Sequence, residues 1–194
     1  TASTSPTSAR TYTVTVTASN GCTDTESITL TQDASVPSAS ITNNTGTSEL
    51  TCNTTSISVT ASGGASYIWS NSLGSNASAT ISSAGTYTVT ATAANGCTDT
   101  ESITITSNTT APTASITNND GTTELTCSQT SVSLTATGGS SYSWNTGDNT
   151  ANISPTSAGT YTVTVTGSNG CTDNTSVTLT SNTTTPTAGI TNNT

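Results

Sequence analysis

Five cysteines are the residues of this chain whose type and spacing carry the clearest chemistry. Cys22, Cys97 and Cys171 each follow an Asn-Gly pair, whereas Cys52 and Cys127 each follow Leu-Thr. Cysteines that recur at fixed places predict disulfides rather than free buried thiols, and disulfides persist in oxidising compartments. No histidine and no Cys-x-x-Cys spacing accompanies them, so a zinc site is not predicted. We therefore predict an extracellular protein with paired cysteines.

Residues suited to catalysis are nearly absent from the sequence. The many Ser and Thr hydroxyls have no His or Lys beside them to act as a general base. The carboxylates fall at equivalent places in a repeated pattern, as in Asp24/Glu26 and Asp99/Glu101. A catalytic site present in every copy of a repeat would be unusual. We predict no enzymatic activity, no catalytic residues and no cofactor.

The Asp-x-Glu pairs have an alternative interpretation as calcium ligands, because Ca²⁺ prefers several carboxylate and carbonyl oxygens. In the third copy Asp173 is followed by Asn174 and Thr175, so the second carboxylate is lost there. A solvated strand start is the preferred interpretation of these pairs. No metal site is predicted.

The charge balance excludes two classes of partner. Arg10 is the only basic residue against ten Asp and Glu residues, and the net charge is −9. Nucleic acids and anionic lipid surfaces are both bound through clusters of Lys and Arg. No apolar run is long enough to span a membrane. We predict no nucleic-acid partner and no membrane-spanning segment in this stretch.

One motif recurs three times along the chain. Tyr12, Tyr87 and Tyr161 open the same stretch, at spacings of 75 and 74 residues. Self-similarity at a fixed period indicates tandem modules, and we expect the natural chain to continue in both directions. The predicted division is residues 1–35 as the C-terminal part of a repeat, 36–111 and 112–185 as complete repeats, and 186–194 as the first strand of the next repeat.

Each copy reads as a series of short β-strands. Thr and Ser alternate strictly with Val, Ile, Tyr and Leu, which gives each strand one apolar face. Asn95-Gly96 is a strong hairpin signal. No stretch has helical periodicity. In the first complete copy the predicted strands are Ser38–Asn43 and Glu49–Cys52 as a split first strand, Ser56–Ala61, a strand with Tyr67 and Trp69 on one face, Ala77–Ser82, a strand through Tyr87, Val89 and Ala91, and a last strand from Cys97 to Ile105.

Outward Thr ladders such as Thr86, Thr88 and Thr90 have an alternative interpretation as ice-binding faces that order water. The preferred interpretation is that Thr suits a half-exposed strand, both for its β-propensity and for cross-strand pairing.

About seven short strands, a buried Trp on the third and a Tyr at the start of the penultimate strand fit an immunoglobulin-like sandwich. The Gly-Thr-Tyr sequence that ends at Tyr87 is similar to a tyrosine corner, although Arg10 replaces the glycine in the first copy. The predicted fold class is all-β, with tandem immunoglobulin-like β-sandwich repeats of about 75 residues in a head-to-tail rod.

The repeat motif resembles a known family of bacterial surface repeats. Leu-Thr-Cys, Tyr-x-Trp-Ser-Asn and Ala-Gly-Thr-Tyr-Thr-Val-Thr, followed by Asn-Gly-Cys-Thr, are similar to the Ig-like and PKD-like repeats of Bacteroidota surface proteins. The resemblance covers all 194 residues. It implies a large parent protein exported by the type IX secretion system, as flavobacterial gliding adhesins are.

In an immunoglobulin topology the cysteines have two possible pairings. Cys52 precedes the second strand and Cys97 lies in the last hairpin, at opposite ends of a sandwich about 26 Å long. A disulfide needs Cα atoms within about 7 Å. The preferred pairing is therefore Cys52 with Cys171 of the next copy, leaving Cys22, Cys97 and Cys127 to partners outside this stretch. The alternative is pairing within copies, Cys52–Cys97 and Cys127–Cys171.

The leading functional hypothesis is a structural or adhesive repeat region of an extracellular, cell-surface bacterial protein. The repeats would form a stiff, disulfide-linked stalk or filament whose partners are neighbouring copies and surface glycans or other cells. The alternative is a carbohydrate-binding or spacer module of a secreted enzyme. Exposed aromatic side chains distinguish the two hypotheses, and Tyr67, Trp69 and Tyr87 are predicted to lie in the core instead.

Overall fold

The chain is all-β, as its alternating pattern predicts. The structure, a computed structural model, describes residues 3–191, and these residues form strands and no helix. Residues 186–191 form no strand, and the rest of the strand predicted at 186–194 lies outside the described residues. The strands are β1 (Thr11–Thr17), β2 (Thr23–Thr29), β3 (Ser40–Asn43), β4 (Glu49–Thr51), β5 (Ile57–Ser62), β6 (Ser66–Trp69), β7 (Ser78–Ile81), β8 (Gly85–Thr92), β9 (Thr98–Asn108), β10 (Ser115–Asn118), β11 (Glu124–Thr126), β12 (Leu134–Thr137), β13 (Ser141–Trp144), β14 (Asn152–Ile153), β15 (Gly159–Thr166) and β16 (Thr172–Asn182).

Contacts within the chain divide it into two compact units. The division passes through β5, β8 and β9, so it does not follow the repeat boundaries, which stay a prediction. The first unit comprises Thr1–Thr42, Val59–Ala79 and Tyr87–Ile103, and the second comprises Asn43–Ser58, Thr80–Thr86 and Thr104–Thr194.

Residues 112–185 belong to the second unit and form an immunoglobulin-like β-sandwich. One sheet has the strand order β10-β12-β14, and the other has the order β11-β16-β15-β13. All pairs are antiparallel except β11, which runs parallel to the end of β16. The strands β10 and β11 are the two halves of the split first strand, one in each sheet. The chain turns between them at Gly121, whose φ of 69° suits glycine.

The core of this sandwich comes from the apolar positions of the alternating strands. Trp144 is 3% exposed, and its indole nitrogen donates a hydrogen bond to the Thr150 carbonyl at 2.9 Å. Because its only polar group is bonded, the whole ring packs in the core at little polar cost. The core side chains are Leu125, Val132, Leu134, Ala136, Trp144, Ile153, Val163, Val165 and Leu179.

Residues 36–111 repeat the same strand order. Their sheets are β3-β5-β7 and β4-β9-β8-β6. The predicted inward residues Ile57, Val59 and Ala61 are at most 3% exposed, which confirms the alternation in β5. The predicted end of the last strand at Ile105 is wrong, since β9 continues to Asn108. The extension arises because residues 106–108 pair in parallel with β4.

The first hairpin, β1 with β2, keeps its apolar face exposed. Val14, Val16 and Ile28 are 55%, 63% and 63% exposed, whereas the equivalent Val89 of β8 is fully buried. The only strand partner of β1 within the described residues is β2. The Arg10 guanidinium stacks over the Tyr12 ring, 4.7 Å from its centroid.

Gly138 is expected to be the glycine of residues 112–185 least tolerant of a side chain. Its φ is +107°, and an added Cβ would collide with the backbone oxygen of Thr113. Gly147 has a similar φ of +94° but open space around it. We expect Gly147→Ala to cost about 1–2 kcal/mol from backbone strain alone. We expect Gly138→Ala to cost roughly 1–3 kcal/mol more, because the backbone must also move.

Urea unfolding of the two variants, followed by tryptophan fluorescence, measures this difference. Equal losses of unfolding free energy in Gly138→Ala and Gly147→Ala would show that the close approach of Thr113 has no energetic weight.

Candidate functional site

The candidate site is centred on the disulfide between Cys52 and Cys171. Cys52 directly follows β4, and Cys171 closes the turn between β15 and β16. Their Cα atoms are 5.0 Å apart, and 119 residues separate them along the chain. The bond therefore joins the first complete copy of the motif to the second. Neither within-copy pair, Cys52–Cys97 or Cys127–Cys171, is formed in the structure.

The hairpin that presents Cys171 spans residues 167–171 and is built around the Asn-Gly pair. Gly167 N–H donates to the Cys171 carbonyl at 2.8 Å, and Gly170 N–H donates to the Gly167 carbonyl at 3.0 Å. The Asn169 side-chain oxygen accepts a hydrogen bond from the Cys171 N–H at 3.1 Å. Gly170 has a φ of +78°, which a residue with a Cβ adopts only with strain. The local sequence thus fixes the hairpin.

The side-chain amide nitrogen of Asn169 contacts the segment that connects the two copies. It lies 2.9 Å from the Thr110 carbonyl oxygen, 3.2 Å from the Asn108 carbonyl oxygen and 3.0 Å from the Asn108 side-chain oxygen. In return, the Cys52 N–H donates to the Asn169 backbone carbonyl at 3.2 Å. We call these hydrogen bonds the Asn169 contact. They surround the disulfide with directional restraints.

Asn95 makes the equivalent contact in the other complete copy. Its amide nitrogen donates to the Ser35 carbonyl at 3.0 Å and to the Asp33 carbonyl at 3.3 Å. Its side-chain oxygen accepts from the Cys97 N–H at 3.0 Å, as in the Asn169 hairpin. Cys97 is a free, half-buried thiol. The contact is therefore present twice, once with a disulfide beside it and once without.

The Asp33 carboxylate lies at the same contact. Hydrogen bonds from the Ser35 hydroxyl, the Ser35 N–H and the Asn95 side chain hold the pKa of Asp33 below its ordinary value of 3.8. A lowered pKa means that the ionised form is favoured in the folded chain. These bonds therefore contribute above that ordinary pKa and are lost as pH falls through the lower folded-state value. The hydrogen bonds of the Asp33 carboxylate are therefore expected to be retained at neutral pH.

The remaining cysteines are free thiols within the described residues. Cys22 and Cys127 are exposed, and Cys97 is half-buried. Cys127 occupies the position equivalent to Cys52, directly after β11, and its sulfur lies 3.9 Å from the Thr183 carbonyl. Cys22 follows the Asn20-Gly21 turn, in which the Asn20 side-chain oxygen accepts from the Cys22 N–H at 3.1 Å.

Sequence reasoning missed the role of the Asp that starts each last strand. Asp173 accepts a hydrogen bond from the Ala114 N–H at 2.9 Å, and Asp99 accepts from the Ala39 N–H at the same distance. Glu101, the second carboxylate of the predicted pair, is exposed. The available signal was in the third copy, which keeps Asp173 but loses the Glu. The Asp therefore ties down the chain as it enters the first strand.

Replacing Asp173 by Asn is expected to lower the unfolding free energy by about 1–3 kcal/mol, because it weakens a charge-assisted bond to the backbone. Asp24 provides a matched control, since its carboxylate accepts a hydrogen bond from the adjacent Thr25 N–H at 2.9 Å, a local contact within β2. Urea unfolding of both variants gives the comparison. A loss in Asp24→Asn as large as that in Asp173→Asn would contradict the assigned role.

The two tryptophans are buried, and hydroxyls of the Thr ladders pair across the sheet. Trp69 and Trp144 are each 3% exposed, so neither offers a ring to a sugar. The hydroxyls of Thr86 and Thr104 lie 3.1 Å apart across the sheet, and those of Thr88 and Ser102 lie 2.9 Å apart. Residues 3–191 contain no cluster of three or more potential metal-ligating side chains. They also contain no helix long and apolar enough to cross a membrane.

Comparison with known proteins shows the fold. No family model and no curated protein matches the chain by sequence. A structure from a 1.5-MDa bacterial ice-binding adhesin, studied for its retention at a host cell surface, matches with 18% identity and a TM-score of 0.53. The match covers 90% of this chain and 74% of that one. Fibronectin(III)-like modules of Clostridium thermocellum CbhA match with 10% identity and a TM-score of 0.35, over 73% of this chain and 95% of that one. The likeness to the adhesin structure is one of fold.

Proposed function

We propose that the chain is a structural and adhesive repeat region of an extracellular bacterial surface protein. In this proposal residues 36–111 and 112–185 are consecutive modules of a head-to-tail array, and residues 1–35 and 186–194 belong to the modules on either side. The array forms a stiff stalk or filament. The observation that carries the proposal is the Cys52–Cys171 disulfide, which joins two consecutive copies of the motif.

The disulfide and the Asn169 contact restrain the same connection in different ways. A single disulfide still allows the two copies to rotate about its torsion angles. The hydrogen bonds from Asn169 to Asn108 and Thr110 are directional, so they restrict that rotation. Two consecutive sandwiches held at several points bend less than sandwiches joined by a free linker. Such an array is suited to holding an adhesive part away from a cell.

The free thiols fit the same scheme. Cys127 has the sequence position of Cys52, and Cys22 and Cys97 have that of Cys171. In an array, each Leu-Thr-Cys cysteine would bond to the Asn-Gly-Cys cysteine of the following module. Cys127 would then pair with the next module, and Cys97 and Cys22 with preceding ones. Every connection in the stalk would carry one disulfide.

The cellular setting follows from the disulfide and from the resemblance of the motif. Disulfides of this kind persist outside the cytosol, which supports an extracellular location. The resemblance to Bacteroidota repeats supports export by the type IX system and a role beside gliding adhesins. The chain would have no catalytic role, and its partners would be neighbouring modules and, through the parent protein, surface glycans or other cells. The burial of Trp69 and Trp144 counts against a carbohydrate-binding module, because sugar platforms use exposed rings.

Electron microscopy of the intact natural protein tests the stalk. We expect thin rods of regular width, each many modules long, that become more curved after reduction with dithiothreitol. A globular enzyme carrying a short tail would overturn the proposal, as would particles whose curvature is unchanged by the reductant.

A further inference from the structure

We infer that the side-chain amide of Asn169 is a positioning residue for disulfide formation, and that Asn95 plays the same part in its own copy. The inference rests on the proposed function, since it explains how a stalk would direct each cysteine to the neighbouring module. The amide docks the hairpin onto the preceding segment before any bond forms. Docking then places the Cys171 thiol beside Cys52.

The Asn95 contact shows that docking does not depend on the disulfide. Cys97 is a free thiol, yet the Asn95 amide still donates to the Ser35 and Asp33 carbonyls. Asn169 makes the same kind of contact, with Asn108 and Thr110 in the equivalent place. The contact therefore does not need the covalent bond in order to form.

Only an amide side chain of this length can both accept the hydrogen bond within the turn and donate to the preceding segment. Its oxygen accepts from the N–H of the following cysteine, which closes the turn, and its nitrogen donates to carbonyl oxygens of the preceding segment. A carboxylate would keep the first bond but bring its second oxygen against the carbonyls of Asn108 and Thr110. The motif therefore requires asparagine where the turn alone would accept aspartate.

The backbone around Asn169 brings the two sulfurs together. The Cys52 N–H donates a hydrogen bond to the carbonyl of Asn169, which lies two positions before Cys171 in the hairpin. This bond places Cys52 beside the hairpin. Gly170 permits the approach, because a Cβ there would collide with the Asn53 side chain.

The oxidation itself needs a small-molecule disulfide such as oxidised glutathione. One thiolate of the Cys52/Cys171 pair attacks it, forms a mixed disulfide and releases one glutathione thiolate. The second protein thiolate then attacks the mixed disulfide and releases the other. Two protein thiols lose two electrons and two protons, and one glutathione disulfide becomes two thiols. Docking raises the effective concentration of the second thiol in the last step.

The test compares the rate of this oxidation in Asn169→Asp with that in the wild-type chain and in Asn20→Asp. Reduced full-length protein is exposed to oxidised glutathione, quenched with N-ethylmaleimide at intervals and mapped for the Cys52–Cys171 peptide pair. We expect the Asn169→Asp rate to fall about tenfold, the effect of losing one or two directed hydrogen bonds. Asn20→Asp changes the same turn but no contact of Cys52 or Cys171, so its rate should match wild type.

Tryptophan fluorescence of each reduced variant establishes that the sandwiches are folded, and Asn169→Ala removes the amide without adding charge. An unchanged rate in both Asn169 variants would overturn the positioning role while leaving the stalk proposal intact. A wild-type chain that never forms the Cys52–Cys171 bond would instead overturn the stalk proposal.

Discussion

Replacing Trp144 by alanine is expected to lower the unfolding free energy of residues 112–185 by about 3–5 kcal/mol, the usual cost of removing a large buried aromatic side chain. The ring is 3% exposed and packs with Leu134, Val163 and the rest of the core cluster. The vacated volume lies between two sheets whose strands are held in place by backbone hydrogen bonds, so the surrounding residues cannot collapse into it freely. Calorimetry of the oxidised protein measures the loss.

Trp144→Phe is the matched control for this prediction. Phenylalanine retains most of the apolar volume but leaves the Thr150 carbonyl without its indole donor. We expect a smaller cost of about 1–3 kcal/mol. The result also bears on function, because a tryptophan that bound sugar at the surface would be replaceable with little loss of stability. A cost below about 1 kcal/mol for Trp144→Ala would contradict its place in the core.

The double change Cys52→Ser and Cys171→Ser is expected to destabilise the chain by about 2–4 kcal/mol. The crosslink encloses a loop of 119 residues, and long loops place a disulfide toward the upper end of that range because it restricts the unfolded chain more. Unfolding in urea under non-reducing conditions measures the effect. The dependence on urea should also steepen, since the unfolded chain becomes less compact without the crosslink.

Cys22→Ser is the control for the loss of a thiol as such. Cys22 is exposed and unbonded, so its replacement should change stability by no more than about 0.5 kcal/mol. An equal loss in the control, or no loss in the double variant, would mean that the Cys52–Cys171 bond does not restrain the unfolded chain.

Much of the fold follows from the sequence because the apolar residues alternate so regularly. Inward positions such as Ile57, Val59 and Val89 are fully buried in the structure. Asn119-Asp-Gly121 predicts the break in the first strand, because few other sequences favour a turn with a positive φ so strongly. Alternation reports which face of a strand is buried. It therefore predicts strands and core positions together.

The alternation of apolar residues does not predict the contacts at the candidate site. The Asp173–Ala114 bond and the Asn169–Thr110 bond each span 59 residues, so they depend on how the chain returns to itself. The Asn-Gly pair predicts a turn from local preference, and nothing local distinguishes a solvent-facing amide from one that docks on a distant carbonyl. The extension of β9 to Asn108 has the same cause, since β4 supplies the pairing partner.

The Cys52–Cys171 pairing is tested by mapping the disulfides of the oxidised protein. Free thiols are first blocked with N-ethylmaleimide, and the denatured chain is then cleaved with chymotrypsin and a glutamate-specific protease. Cleavage after Tyr, Trp and Glu leaves each of the five cysteines on its own peptide. We expect the peptide of Cys52 to be joined to that of Cys171. Recovery of Cys52 joined to Cys97, or of Cys127 joined to Cys171, would contradict it.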